Sequence, residues 1–268
     1  MCSWMSPRQI RVDGLQARYF EHGEGKTVLL LHGASLGSSA DVWQRNLAPL
    51  AAYGLRVIAP DLPGFGRSDN PDDPSVSYRK KFVVAFMDAL GLPRASFVGH
   101  SQSGRIAVDL AFSAPDRVAK VVVLGTGSLL PPLGEKKGGE GDEGGDIEPT
   151  VGETQALLEA NLFDKRLATD EEVKLRHAMS IGKNFAAFLA RKSAKEKTEP
   201  LWQRLSSCPV PLLMLYGEND RGEAAKRVAR AKEAHPALDL RLLPRCAHLV
   251  QWDAAAAFAD IAGRFLAG

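Results

Sequence analysis

The chain has 268 residues, a quarter of them charged, and a formal net charge of +2 at pH 7, too close to balance for broad attraction to nucleic acid or an anionic membrane. No apolar run reaches the length of a bilayer span, and the first eight residues lack a signal-type apolar stretch, so a cytoplasmic protein is expected. Cys2, Cys208 and Cys246 are few and far apart, which suits free thiols in a reducing compartment and offers no metal-ligand spacing.

Two β-prone runs, residues 9–12 and 15–21, flank Asp13-Gly14, which predicts a hairpin. Thr27-Val28-Leu29-Leu30-Leu31-His32 is built on an apolar run too short for a globular helix and suited to a strand buried on both faces. Helical patterning over 42–52 leads to a strand over Leu55–Pro60, then to a turn-rich stretch, 61–68. A helix over 78–90, a strand over 96–98, a helix ending near Pro115 and a strand over 119–124 continue the alternation. Strands and helices in this rhythm predict a mostly parallel sheet covered on both faces.

The rhythm stops near Thr126. Residues 132–150 are rich in glycine and acid with little to bury, and are expected to form a flexible loop. Helical patterns follow over 152–162, 170–181 and 184–194, the second opened by a capping box of Thr169 and Glu172. The sheet pattern resumes at Val210, and residues 254–266 predict a closing helix. The expected division is therefore a core of 1–128 and 204–268, with 129–203 as an inserted helical lid.

Chemistry enters with Val98-Gly99-His100-Ser101-Gln102-Ser103-Gly104, an apolar strand running into a small-x-Ser-x-small sequence and then a helix. That pattern marks a serine on a strained strand-to-helix turn, where small neighbours are needed because the backbone is crowded. Ser103 stands where glycine is commoner. Downstream, residues 211–217 read as a buried strand followed by Glu218-Asn219-Asp220, and residues 238–243 as a strand followed by Pro244-Arg245-Cys246-Ala247-His248. Ser, Asp and His in this chain order, each just past the end of a strand, is the order of the α/β-hydrolase fold.

In that reading His248 takes the Ser101 proton and later returns it to the leaving group, and Asp220 holds the imidazole in the correct tautomer. Glu218 and Asp253 are the alternative carboxylates. The backbone N–H groups of Gln102 and Ala34 would receive the oxyanion, with Gly33 letting the loop approach and His32 ordering it. Cys246 has no second histidine in a partner's position and reads as a packing residue. His22, His177 and His235 read as surface or packing residues, and no metal site emerges. The chemistry requires no cofactor.

Over nearly its full length the chain resembles the α/β-hydrolase superfamily, and within it the meta-cleavage product hydrolases, which cleave C–C bonds in aromatic degradation. Asp61-Leu62-Pro63-Gly64-Phe65-Gly66-Arg67-Ser68-Asp69, the stretch Leu175-Arg176-His177 and Cys246-Ala247-His248-Leu249-Val250-Gln251-Trp252 carry the resemblance. It implies a substrate-binding role for Arg176 on a carboxylate or dienolate, and substrate contacts from His100, Leu249 and Trp252. Two positions depart from the family: His100 replaces an asparagine and Leu249 a tryptophan. The expectation is a serine hydrolase acting on a small, largely apolar carbonyl compound. The bond is C–C in a vinylogous diketone, or the ester bond of a carboxylic ester. A hydrolase-fold protein that binds ligand with little turnover is the reading from a different class.

Overall fold

The computed structural model describes residues 5–134, 145–194 and 199–268. Eight strands form one sheet: β1 (Arg8–Val12), β2 (Leu15–His22), β3 (Lys26–Leu31), β4 (Leu55–Pro60), β5 (Ala95–His100), β6 (Val118–Leu124), β7 (Leu212–Gly217) and β8 (Asp239–Leu243). They lie in the order β1-β2-β4-β3-β5-β6-β7-β8. The β1–β2 and β2–β4 pairs are antiparallel and all others parallel. The expected hairpin is present, with Asp13 and Gly14 both at positive φ.

The central parallel strands are apolar over most of their length because both faces of the sheet are covered. Side chains alternate across the pleat, so Leu29 and Leu31 of β3 join one core with Phe82, Phe86 and Phe97. Val28 and Leu30 face the other core, built on Trp43, Leu47 and Phe258. The first face is covered chiefly by α2 (Val76–Ala89), α3 (Gln102–Ser113) and α7 (Ala224–Ala234). α1 (Gln44–Ala51), the short α8 (Val250–Asp253) and α9 (Ala255–Ala267) cover the second. The closing helix predicted over 254–266 is α9, and the short α8 precedes it.

Between β6 and β7 lie α4 (Val151–Ala160), α5 (Asp170–Ala178) and α6 (Lys183–Ser193). Leu158, Leu162 and Val173 of this insert pack with Leu249 and Trp252. The predicted loop over 132–150 falls in part on residues 135–144, outside the described residues. The capping box expected at Thr169 is half formed. Thr169 accepts from Glu172 N–H, but the Glu172 carboxylate turns to Arg45 of α1. The reciprocal box forms instead at Thr150 and Glu153.

One buried ionic cluster shapes the edge of the sheet. Arg18 of β2 donates to both Asp61 and Asp41, and Asp61 also accepts from the main chain of Ala40 (2.6 Å) and Arg67 (2.8 Å). Burial alone would lower the Arg18 pKa, but hydrogen bonding and charge from Asp61 and Asp41 outweigh it and raise it. The Asp61-to-Ser68 turn and the loop after β3 are thereby pinned to each other. Arg18→Ala leaves two buried carboxylates without their cation and is expected to cost about 3–5 kcal/mol of stability. Urea unfolding checks this: a loss below about 1 kcal/mol would mean that water replaces the guanidinium at no great cost. Among the described residues no helix is long and apolar enough to cross a membrane.

Candidate active site

Ser101 sits between β5 and α3 at φ 54° and ψ −126°. A residue with a Cβ costs of order 1–3 kcal/mol in such a conformation, so the surroundings must hold it. Its N–H donates to Leu124 O (2.8 Å), while its own carbonyl accepts from Thr126 Oγ1 (2.6 Å) and Gly104 N (3.0 Å). The expected need for small neighbours falls on Gly99 and Gly104. A Cβ on Gly99 would lie 2.4 Å from Ser103 O, and one on Gly104 2.0 Å from Thr126 Oγ1. Ser103 is accommodated because its hydroxyl donates to His32 O, tying the serine turn to the loop after β3.

Asp220 lies just past β7 and accepts from His248 Nδ1 at 3.0 and 3.1 Å, and from Arg221 N at 2.8 Å. A carboxylate only accepts, so the ring proton is on Nδ1 and the Nε2 lone pair is left for another proton. The main chain around this histidine is anchored at three successive residues. Ala247 N donates to Asp253 Oδ2 (2.9 Å), His248 O accepts from His100 Nε2 (3.0 Å), and Leu249 N donates to Asn161 O (3.0 Å). The His100 and His248 rings lie 4.8 Å apart. Ser101 is not hydrogen-bonded to His248 here; such contacts often close only around a bound substrate.

His32 ends the strand β3 run and is fully buried. Its Nε2 accepts from Leu62 N (3.0 Å), which places the proton on Nδ1 and makes that atom the donor to Gly33 O (2.7 Å). Burial lowers its pKa to about 4, so the ring is neutral and serves as a strut across the loop that carries Ala34. Gln102 opens α3, where first-turn N–H groups have no carbonyl behind them. Among the described residues no main-chain bond takes up Ala34 N–H.

A cavity beside these groups is lined by His100, His248, Leu249, Trp252, Ser35 and Arg176 among others. Arg176, on α5 of the insert, donates to Ser35 Oγ (3.0 Å), while its buried Nε has no partner. Burial pulls the guanidinium down to about 10, so it remains a cation near neutral pH. No carboxylate among the described residues pairs with it. The cavity acids are otherwise engaged, Asp41 with Arg18 and Glu172 with Arg45. Trp252 is fixed by its Nε1 bond to Val42 O (2.8 Å) and by Arg45 over its ring. Leu249 adds apolar wall.

Residues 28–261 match the model of the alpha/beta hydrolase family. The chain belongs to that family. This α/β-hydrolase is 32% identical over 257 residues to 2-hydroxy-6-oxo-6-phenylhexa-2,4-dienoate hydrolase of Burkholderia cepacia, covering 91% of the chain and 89% of that relative. It is 30% identical over 269 residues to 2-hydroxymuconate semialdehyde hydrolase of Pseudomonas sp. strain CF600, covering 97% and 93%. A solved meta-cleavage product hydrolase from Pseudomonas fluorescens IP01 superposes with a TM-score of 0.80 at 26% identity, over 96% of each chain. The resemblance read from the sequence is thus to real relatives, and the α/β-hydrolase fold is the observed one.

Some parts of the site had no sequence signal. Asp253, an alternative acid by position, instead accepts three main-chain N–H groups, those of Phe163 (2.9 Å), Asp164 (3.0 Å) and Ala247 (2.9 Å). It joins the insert to the His248 loop. Glu218, the other alternative, is exposed. Cys246 is buried and, by burial and nearby Asp253 and Asp220, its thiol is pushed up to about 12, unsuited to attack. Cys2 lies outside the described residues. His177 and His235 bond Thr154 and Ser206, away from the cavity lining. No group of metal-ligating side chains occurs among the described residues.

Proposed function

We propose that this α/β-hydrolase is a serine hydrolase in which Ser101 attacks a carbonyl, His248 moves the proton and Asp220 orients the imidazole. The N–H groups of Ala34 and Gln102 receive the oxyanion. The single observation behind this reading is the Asp220-oriented His248 ring lining a cavity one residue from the strained Ser101 turn. The insert of α4 to α6 serves as the lid of that cavity, and the substrate is a small molecule.

The substrate is a meta-cleavage-type dienoate, and the bond cleaved is C–C. Relatives named as hydrolases of 2-hydroxy-6-oxo-dienoates support this, as does the electrostatics of the cavity. Arg176 is a half-buried cation with a buried, unpartnered Nε and no carboxylate partner among the described residues, and a substrate carboxylate would supply the missing charge. C–C cleavage expels a carbon fragment, so the bonding pair must pass into a conjugated electron sink and end as a C–H bond. A vinylogous diketone with an anionic end fits that requirement.

Ester hydrolysis is the second reading, favoured by His100 and Leu249 in place of the family's polar asparagine and tryptophan. An alkoxide leaving group needs only the proton that His248 carries. Initial rates on a ring-fission dienoate beside a p-nitrophenyl ester panel separate the two, and turnover of esters alone would remove the C–C reading. Arg176→Ala is expected to raise KM for an anionic dienoate about tenfold or more, the worth of one charge-assisted hydrogen bond, and to change neutral-ester kinetics less than about threefold. Equal losses on both substrates would make Arg176 a structural residue.

A further inference from the structure

His100 lines the cavity, and the proposed reaction gives it no step. It is buried, and its Nε2 lies 3.0 Å from His248 O. A carbonyl oxygen can only accept, so Nε2 carries the ring proton and Nδ1 presents a lone pair. Burial, then the neighbouring His248, lowers the His100 pKa well below its ordinary value, so the ring stays neutral and this tautomer persists. Among the described residues Nδ1 has no hydrogen-bond partner, and it is not sealed in the protein interior.

What lies beside that lone pair is the reacting end of the cavity. A Cβ on Gly33 would fall 3.0 Å from His100 Nδ1 and 3.3 Å from Ser101 Cβ, so both groups lie on the side of Gly33 that a side chain would occupy. Gly33, His100 and His248 line one cavity, and the two imidazoles are 4.8 Å apart. An acceptor placed there needs an O–H. The Ser101 mechanism brings one in its second half, when water must attack the acyl-enzyme.

We propose that His100 Nδ1 positions the hydrolytic water. The proposal rests on the Ser101 acyl-enzyme of the preceding reading. Water has two O–H bonds, and a single base uses one. One proton passes to His248 Nε2 as the oxygen forms its bond to the acyl carbon. The other O–H stays intact and donates to His100 Nδ1, which turns an oxygen lone pair toward that carbon. The tetrahedral species then breaks its bond to Ser101 Oγ, the oxygen recovers the proton from His248, and the free acid leaves. Atoms and charge balance without a further reactant. His100 exchanges no proton and is a positioning residue, with two functions on its two nitrogens: Nε2 tethers the His248 main chain, and Nδ1 holds water.

The two nitrogens can be tested separately because amides mimic them in turn. The Gln amide reaches the Nε2 position and keeps a donor for His248 O, but places no acceptor at Nδ1. The Asn amide places an oxygen near Nδ1 and gives up the tether. The measurement is acyl partitioning with p-nitrophenyl butyrate in water containing methanol, scored as methyl butyrate against butyrate. Methanol has one O–H, which His248 takes, so it has no need of the second acceptor.

For His100→Gln, the methyl ester to acid ratio is expected to rise about five- to tenfold over the wild type, the worth of one hydrogen bond. The nitrophenol burst should grow as deacylation slows. His100→Asn should hold the wild-type ratio even where both rates fall. An unchanged ratio in His100→Gln, or the same rise in both variants, would overturn the water-positioning role. Wild-type nitrophenol release from Ser101→Ala would instead overturn the acyl-enzyme reading, so the two failures are distinguishable.

Discussion

Ser101→Ala is expected to lower kcat by about a thousandfold or more on whichever substrate the enzyme turns over, as loss of a triad nucleophile does elsewhere. The reason is local. The hydroxyl is carried by a residue held at φ 54°, and every hydrogen bond that holds it there is made by its main chain, to Leu124, Thr126 and Gly104. Alanine keeps all of these, so the fold around the turn should persist and only the nucleophile is lost. Steady-state rates with thermal unfolding of the same samples check both halves. A variant with near wild-type kcat would mean that another group attacks; a variant that no longer folds would mean that the hydroxyl itself holds the turn.

Asp220→Asn should lower kcat by about ten-thousandfold while changing the structure little, by analogy with the same change in other serine triads. His248 Nδ1 now donates to a group that can only accept. An asparagine offers N–H as well as C=O. Its carbonyl can keep the bond from Arg221 N, which turns the amide N–H toward the ring and moves the imidazole proton to Nε2. That is the wrong nitrogen for a base. Measuring kcat of Asp220→Asn alongside Glu218→Gln and Asp253→Asn identifies the acid. A large loss confined to Glu218→Gln would transfer the role there. Asp253→Asn is expected to act differently, through stability, because its carboxylate bridges three main-chain N–H groups.

Much of this molecule is legible along the chain because its signals are local. Five of the strands, β3 to β7, carry continuous apolar runs, since a parallel sheet covered on both faces leaves no polar side to write into the pattern. The serine turn is legible because its crowding admits only small neighbours. The helix ends are less so. The Thr169–Glu172 signature is a true N-cap in part, yet a partner 127 residues away, Arg45, takes the glutamate that the local rule assigns to the cap. A local reading has no means of weighing that competition. The short α8 before the closing helix escapes periodicity because four residues are too few to show a helical repeat.

The sequence by itself determined the alternation of strand and helix, the helical stretch between β6 and β7, and the order in which a serine, an acid and a histidine reach the strand ends. Each of these depends on residues within a few positions of one another, where spacing and side-chain chemistry carry the information. Only the tertiary structure decided which carboxylate faces the His248 ring, why Arg18 must be buried between Asp41 and Asp61, and which nitrogen of His100 keeps a free lone pair. Those depend on groups from 20 to nearly 150 residues apart meeting across the core, where a hydrogen bond has direction and a periodic pattern has none.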